Sequence, residues 1–269
     1  MTRPPVFVGV TTLPSRIGRL RPTIDSLLAQ TLRPDRIFVS VPFRSVREDR
    51  EYVLPEWLAS PPRGVELVRC EQDYGPGTKL LGCLPHITTD ACLIVVDDDM
   101  TYKPFLVERL SRAQLGQRDA SFSFFVHRIG RIPCGQGADG FAFWTPNLAG
   151  IGAFAAVALE SPHLFVHDDY WISVFLRSRG VRVLGLQHTL PDGEFVWGRT
   201  HAEGQLSQLA GDLRRSNVTR EGTRFLFTRT ILAPRWRLAC LLAYVELGLR
   251  SLWLRVVSGL RGRRRRPSR

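Results

Sequence analysis

The sequence predicts an α/β chain organised around a mainly parallel sheet, and three observations predict it. Four short apolar runs punctuate the first hundred residues. Each is separated from the next by a helical or loop stretch long enough for a right-handed crossover. The residues with chemical character, Thr11 to Arg16, Asp73 to Lys79 and Asp97 to Asp99, fall just after three of those runs. In open parallel sheets that is where ligands bind.

The elements follow in order. Val6 to Thr11 is a β-branched first strand, broken by Pro14-Ser15-Arg16. Ile17, Leu20, Ile24, Leu27 and Leu28 recur at helical spacing, with Pro22 near the helix start, where its missing N–H is harmless. Arg36 to Val41 is the second strand, ended by Pro42, and residues 44–63 read as a charged, proline-punctuated helix and loop. Val65 to Arg69 and Cys92 to Val96 are strands three and four. The second half is less regular. Ala120 to Val126 reads as a strand, Gly135 to Trp144 as a glycine-rich stretch ending in aromatics, and Trp171 to Arg179 as a helix stopped by Gly180. Val181 to Leu184 is a short strand and residues 203–216 a polar helix. From Pro234, Leu238, Leu242, Val245, Leu249, Leu252, Val256 and Leu260 share one helical face.

Composition bounds the function. The chain has 269 residues, 44% hydrophobic and 23% charged, which suits a folded body and excludes a disordered one. Its net charge is +12, yet six arginines lie between Arg261 and Arg269, so the body itself is only mildly basic. Basic and aromatic residues do not interleave across the body, which argues against nucleic acid as a partner. The 5 cysteines, without a C-x-x-C pair, exclude a disulfide scaffold or zinc knuckle and fit a reducing compartment. The first residues lack the apolar core of a signal peptide, so the expectation is a cytoplasmic protein.

Three clusters can carry chemistry. In Asp97-Asp98-Asp99, adjacent carboxylates after a buried strand repel one another and resist desolvation. Mg²⁺ or Mn²⁺, with a diphosphate completing the shell, relieves both penalties; Asp99 would ligate metal and Asp97 would position metal or ribose. The competing reading is a solvated turn in which one Asp caps a helix starting near Lys103. In Asp73-Tyr-Gly-Pro-Gly-Thr-Lys79, two glycines allow close backbone approach to a phosphate and Lys79 supplies a cation. Asp73 and Tyr74 can bond to and stack on a base. Walker-A spacing is absent, and an ordinary turn with a solvated lysine competes. In His167-Asp168-Asp169, a carboxylate can draw a proton from a hydroxyl, or simply cap the following helix. His201 is a further metal or phosphate ligand candidate.

Together, the strand ending in Thr-Leu-Pro-Ser-Arg, the helix carrying Ser26-Leu-Leu-Ala-Gln30, the strand-end D-x-D and the acidic pair before a helix resemble GT-A-fold glycosyltransferases, in particular glycosyltransferase family 2. The resemblance covers roughly residues 5–215. It implies a GT-A (Rossmann-like), mixed but mainly parallel sheet flanked by helices, followed by the C-terminal amphipathic helix. The implied divisions are a nucleotide-sugar half over 1–110, an acceptor half over 111–228 and a tail over 229–269. The resemblance further implies a nucleotide-diphosphate sugar donor, with UDP the expected nucleotide. The metal would sit on Asp97, Asp99 and His201, and the nucleotide on Thr11, Pro14, Arg16, Asp73, Tyr74, Gly75, Lys79, Asp97 and Asp98. Asp169, eleven residues before Gly180 as in the family, would be the base, with Asp168 beside it. Gly140, Phe141 and Trp144 would line the acceptor site. The pair is Asp-Asp where the family has Glu-Asp, and Trp144 stands where an arginine often follows the glycine strand. Inversion at the anomeric carbon is the expected outcome.

The terminal helix and arginine run fit an anionic membrane surface, at about 1 kcal/mol per basic residue. A glycan or lipid-linked acceptor at the inner face of the cell membrane would explain that attachment. A packed helix with a basic end is the alternative. A nucleotidyltransferase would share the carboxylates but open with a glycine-rich loop after strand one, which Thr11 to Arg16 lacks. A non-catalytic nucleotide- or membrane-binding domain is the remaining alternative.

Overall fold

The computed structural model describes residues 3–191, 193–200, 215–229, 240–242, 244–246 and 249. The first-half strands are β1 (Val6–Val10), β2 (Arg36–Pro42), β3 (Arg44–Ser45), β4 (Arg50–Glu51), β5 (Val65–Cys70), β6 (Cys92–Val96) and β7 (Met100–Tyr102). Then come β8 (Ala120–Ser123), β9 (His127–Ile129), β10 (Ile132–Cys134), β11 (Phe141–Trp144), β12 (Arg182–Gly185) and β13 (Trp197–Arg199). The helices are α1 (Arg21–Leu28), α2 (Glu56–Ala59), α3 (Thr78–Leu81), α4 (Leu106–Gly116), α5 (Ile151–Ala158), α6 (Pro162–Phe165), α7 (Asp168–Ser178) and α8 (Arg215–Thr228).

Seven strands form one sheet in the order β12-β8-β11-β6-β1-β2-β5. Every pairing is parallel except the two made by β11, which runs antiparallel between β6 and β8. The central strands read as unbroken apolar runs because both faces are covered. In β6, Cys92, Ile94 and Val96 join one core with Val6, Val8 and Val10 and the apolar faces of α1 and α4. Leu93 and Val95 point the other way, into a core that holds Trp171, Tyr170 and Phe175 of α7. The likeness shared with doubly wound proteins is thus built from both halves of the chain on a single sheet.

Several expectations shift. The helix at Ile17 is a 3-10 turn, Ile17–Arg19, followed by α1, in which Pro22 sits in the first turn. Residues 44–63 hold the β3–β4 hairpin and the one-turn α2, too short for any periodicity to reveal. The strand expected to Val126 ends at Ser123, where the chain leaves the sheet for the β9–β10 hairpin. The polar helix expected over 203–216 and most of the C-terminal apolar face lie outside the described residues; α8 begins at Arg215. No helix among the described residues is long and apolar enough to cross a membrane.

Candidate active site

The C-terminal ends of β1, β5 and β6, the N-terminal end of α7 and the strand β13 enclose a cavity of about 310 Å³, within the range of small-ligand sites. Three strand ends meet there because parallel strands deliver their following loops to one rim. All three aspartates after β6 line it. Asp98 is turned toward its own protein: Oδ2 accepts from Thr12 Oγ1 at 2.5 Å and Oδ1 pairs with Arg16 Nη2 at 2.7 Å. Asp97 and Asp99 are left as the cavity-facing pair. Asp99 lies 3.7 Å from Arg199 Nη1. Burial, reinforced by the neighbouring Asp97 and Asp98 charges, pushes its pKa up to about 6. The chain continues into β7 and the next helix starts only at Leu106, so none of the three caps a helix and that reading falls.

Lys79 is almost completely buried, and its solvated alternative is overturned. Its Nζ stands 2.7 Å from Asp97 Oδ1 and 3.0 Å from Asp168 Oδ2, tying the β6 rim to α7. Burial opposes its charge, but Asp168, Asp97 and Asp169 outweigh that and hold the ammonium well above its usual pKa. The helix α7 opens at Asp168, its N-cap is His167, and no side chain caps it. Asp168 and Asp169 are therefore its first two helical residues, and capping does not explain them. Burial raises both carboxylates above the normal range; Asp168 adds to the rise at Asp169, Lys79 opposes it, and the Gly137 N–H donates to Asp169 Oδ1 at 3.0 Å. Asp168 is committed to Lys79, while Asp169 remains half-buried at the cavity wall.

Gly75 lines the cavity as expected of a nucleotide-side residue, and both glycines of the Asp73 loop are also needed for close packing. A Cβ on Gly75 (φ +60°) would lie 2.3 Å from the Phe165 carbonyl oxygen, and one on Gly77 2.8 Å from the Trp171 ring. They let the loop press against α6 and α7, which is what brings Lys79 to Asp168. Asp73 lines the cavity, but its Oδ1 accepts from the Gly75 N–H and its Oδ2 from the Val46 N–H, so it braces the β3–β4 hairpin. Tyr74 packs against the hydrophobic core and is absent from the cavity wall, as is Pro14. Thr11 and Arg16 do line it, although the Thr11 hydroxyl donates to the Ser40 carbonyl.

The acceptor residues need correction. Because β11 is antiparallel, Trp144 pairs with Cys92 at the end of β6 remote from the rim, and its ring lies under Arg118. Phe141 is sealed in the core against Phe143, and Gly140 makes a turn at φ +72° where a Cβ would strike Leu110. None of them lines the cavity. The same reversal delivers Asp139, just before β11, to the rim. Its pKa is pushed up to about 6 by burial, against the Trp197 indole N–H, which donates to Oδ1 at 2.7 Å. His201 lies outside the described residues.

Among the wall residues not expected from the sequence are Arg47, Tyr52, Trp197 and Arg199. Arg47 sits in the arginine-rich hairpin, where nothing in the pattern distinguishes it; burial and the nearby Arg16 lower its pKa, and Glu48 and Asp98 oppose that. Tyr52 donates its hydroxyl to the Thr12 carbonyl at 2.8 Å. Trp197 and Arg199 come from β13, which pairs with β7 directly after the aspartates. The short run Val196-Trp-Gly-Arg199 was the only signal they offered.

No group of three or more His, Cys, Asp or Glu side chains that could hold a metal occurs among the described residues. Asp97 and Asp99 nevertheless present hard oxygen donors to one cavity, and Asp99 has its pKa raised first by burial and then by the neighbouring Asp97 and Asp98 charges. That donor set fits a hard divalent cation whose remaining ligands come from a diphosphate and water.

No protein-family model and no curated protein sequence matches the chain. Among solved structures, the mannosyltransferase PcManGT of Pyrobaculum calidifontis, in complex with GDP-Man and Mn²⁺, is similar at a TM-score of 0.61 and 16% identity, covering 94% of this chain and 72% of that one. At that identity the likeness shows the fold, and the fold of this chain is a Rossmann-like one shared with a glycosyltransferase.

Proposed function

We propose that the protein is a glycosyltransferase that moves a sugar from a nucleoside-diphosphate donor to a hydroxyl of a glycan or lipid-linked acceptor. The observation that carries this reading is one cavity in which Lys79 bridges Asp97 after β6 to Asp168 of α7, with Asp99 and Asp169 on the same wall. The donor's nucleotide half lies along Thr11, Thr12, Arg16, Arg47 and Tyr52. Two crowded guanidiniums there favour an anionic ligand. The fold neighbour carries GDP-Man and Mn²⁺, and the sequence reading favours a UDP-sugar.

Asp97 and Asp99 would hold Mn²⁺ or Mg²⁺, which when bound supplies positive charge for the leaving diphosphate. Lys79 fixes Asp97 and Asp168 and lends its charge to the same end of the cavity. Asp169 accepts the proton of the acceptor hydroxyl: Asp168 is tied to Lys79, whereas Asp169 is held by one backbone N–H and has a raised pKa that suits a base. The hydroxyl oxygen then attacks the anomeric carbon as the diphosphate leaves, and configuration inverts.

Calorimetric titration with UDP, GDP and CMP, with and without Mn²⁺, tests the site in the wild type and in Asp99→Ala. Metal-dependent binding of one nucleotide, lost in the variant, supports the reading. Absence of binding by folded protein under every condition overturns it.

A membrane role belongs to the same proposal. Leu242, Val245 and Leu249 are exposed, and the sequence continues into the arginine run at 261–269. An apolar stripe followed by six arginines fits peripheral attachment to an anionic leaflet, on the cytoplasmic side. Flotation with phosphatidylglycerol vesicles, against phosphatidylcholine vesicles, checks it; equal flotation with both, or none, refutes it.

A further inference from the structure

We propose that the aromatic side chains Trp197, Phe195 and Phe125 form a stacking ridge for sugar rings of the acceptor, so that the acceptor is an oligosaccharide rather than a lone hydroxyl-bearing lipid head. This rests on the transferase reading for its purpose, but the binding surface stands on its own geometry.

Trp197 belongs to the cavity wall. Its indole N–H is fixed by Asp139 Oδ1 at 2.7 Å and the Arg199 guanidinium lies 5.4 Å from its ring centroid. The ring is thus held in one orientation at the mouth of the site. Phe195, two residues before β13, has its ring centroid 5.1 Å from that of Trp197 at an interplanar angle of 36°. Phe125 follows 5.8 Å further on, tilted 37° to Phe195. Phe195 is 52% exposed, an unusual state for a phenylalanine that already touches two other rings and could have been drawn into the core beside them.

The ridge begins at the cavity wall, where Trp197 lines the cavity and Phe195 touches that indole, and that start points to its occupant. A ligand that enters at Asp169 and leaves over Trp197 would meet a carboxylate, an indole fixed by Asp139 and then the exposed Phe195 ring. Pyranose rings present an apolar C–H face and polar hydroxyl edges. Their faces suit the aromatic rings, and their edges suit Asp139, Gln136 and Arg199, which surround Trp197 on the wall. A hydrocarbon chain would use the rings but leave the buried carboxylate of Asp139 facing apolar matter, at a cost.

Saturation-transfer NMR with the intact chain tests this, using mannotriose, cellotriose, maltotriose and chitotriose as probes. At least one trisaccharide is expected to bind. Phe195→Ala and Phe195→Leu should weaken it by about five- to tenfold, and Phe195→Tyr should retain it, since an aromatic face rather than mere apolar bulk is required. Nucleotide binding, measured by calorimetry on the same samples, should be unchanged in all three variants and also reports that they are folded. Failure of all four probes to bind wild-type protein overturns the proposal. So does equal binding by Phe195→Ala, or a change of oligomeric state in that variant, which would make the ridge a contact between copies of the chain. If nucleotide binding fails while trisaccharide binding holds, the transferase reading falls and the ridge remains.

Discussion

Replacing Lys79 by methionine isolates the central electrostatic claim. The side chain is 2% exposed and its ammonium is the shared partner of Asp97 and Asp168, with Asp169 adding to the field. Methionine keeps the apolar stem and approximate volume, so the packing change is small. Removal of one member of a buried ion pair strands the others, at a cost of about 3–5 kcal/mol. The cost depends on pH in a defined direction. Asp168 and Asp169 already have folded-state pKa values raised above their unfolded ones. A raised carboxylate favours folding below its unfolded pKa, and that advantage is lost as pH climbs through the folded value. Without Lys79 both values rise further, so the deficit relative to wild type is largest at pH 8 and shrinks toward pH 5 as the carboxylates take protons. Urea unfolding of both proteins at pH 5, 6.5 and 8, in chelator, measures it. A deficit below about 1 kcal/mol at pH 8, or one that is the same at all three pH values, would refute the idea that Lys79 neutralises this cluster.

Other outcomes follow from the same geometry. Asp169→Asn should lower sugar transfer by about 10²–10⁴-fold while nucleotide affinity stays within a factor of two or so, read by steady-state kinetics beside calorimetry. With Asp99 at about 6, Mn²⁺-dependent nucleotide affinity should fall about tenfold between pH 7 and pH 5, because the protonated carboxyl is a poor ligand; an unchanged affinity would place the metal elsewhere. Gly137→Ala would set a Cβ 2.4 Å from Lys79 Nζ and 2.7 Å from Asp97 Oδ1. It should destabilise the fold by about 1–3 kcal/mol and weaken nucleotide binding, both measurable in one calorimetric series.

The sheet was legible because its central strands are buried on both faces, and such strands appear as plain apolar runs. Cys92–Val96 was read to the residue, and β2 and β5 only one residue short. The β3–β4 hairpin was not legible: two-residue strands at the surface carry no periodicity, and Arg47 there resembles every other surface arginine. The aspartate triplet was visible as a costly local cluster, but only the fold reveals that Asp98 is claimed by Thr12 and Arg16. Gly140, Phe141 and Trp144 lie away from the cavity for a topological reason. A strand's direction in the sheet is fixed by its non-local partners, and β11, alone among the seven, is reversed. Had it been parallel, Trp144 would stand at the rim; reversed, it sends Asp139 there instead.

Charge explains why this rim is a site rather than a well-packed loop cluster. Seven aspartates line one small cavity; Asp73 and Asp98 are bonded to neighbouring protein groups, and the pKa values of Asp99, Asp139, Asp168 and Asp169 are all raised. Folding alone gives no reason to gather them, since each costs free energy to bury ionised and hydrophobic replacements of similar size would pack as well. The surrounding cations do not cancel the excess. Lys79 serves two of the carboxylates, and Arg16 is engaged with Asp98. Arg199 is 3.7 Å from Asp99 and 40% exposed. A surplus of that sign, bordered by guanidiniums on the nucleotide side and by a fixed indole on the other, is the arrangement expected where a cation, a diphosphate and a hydroxyl must meet.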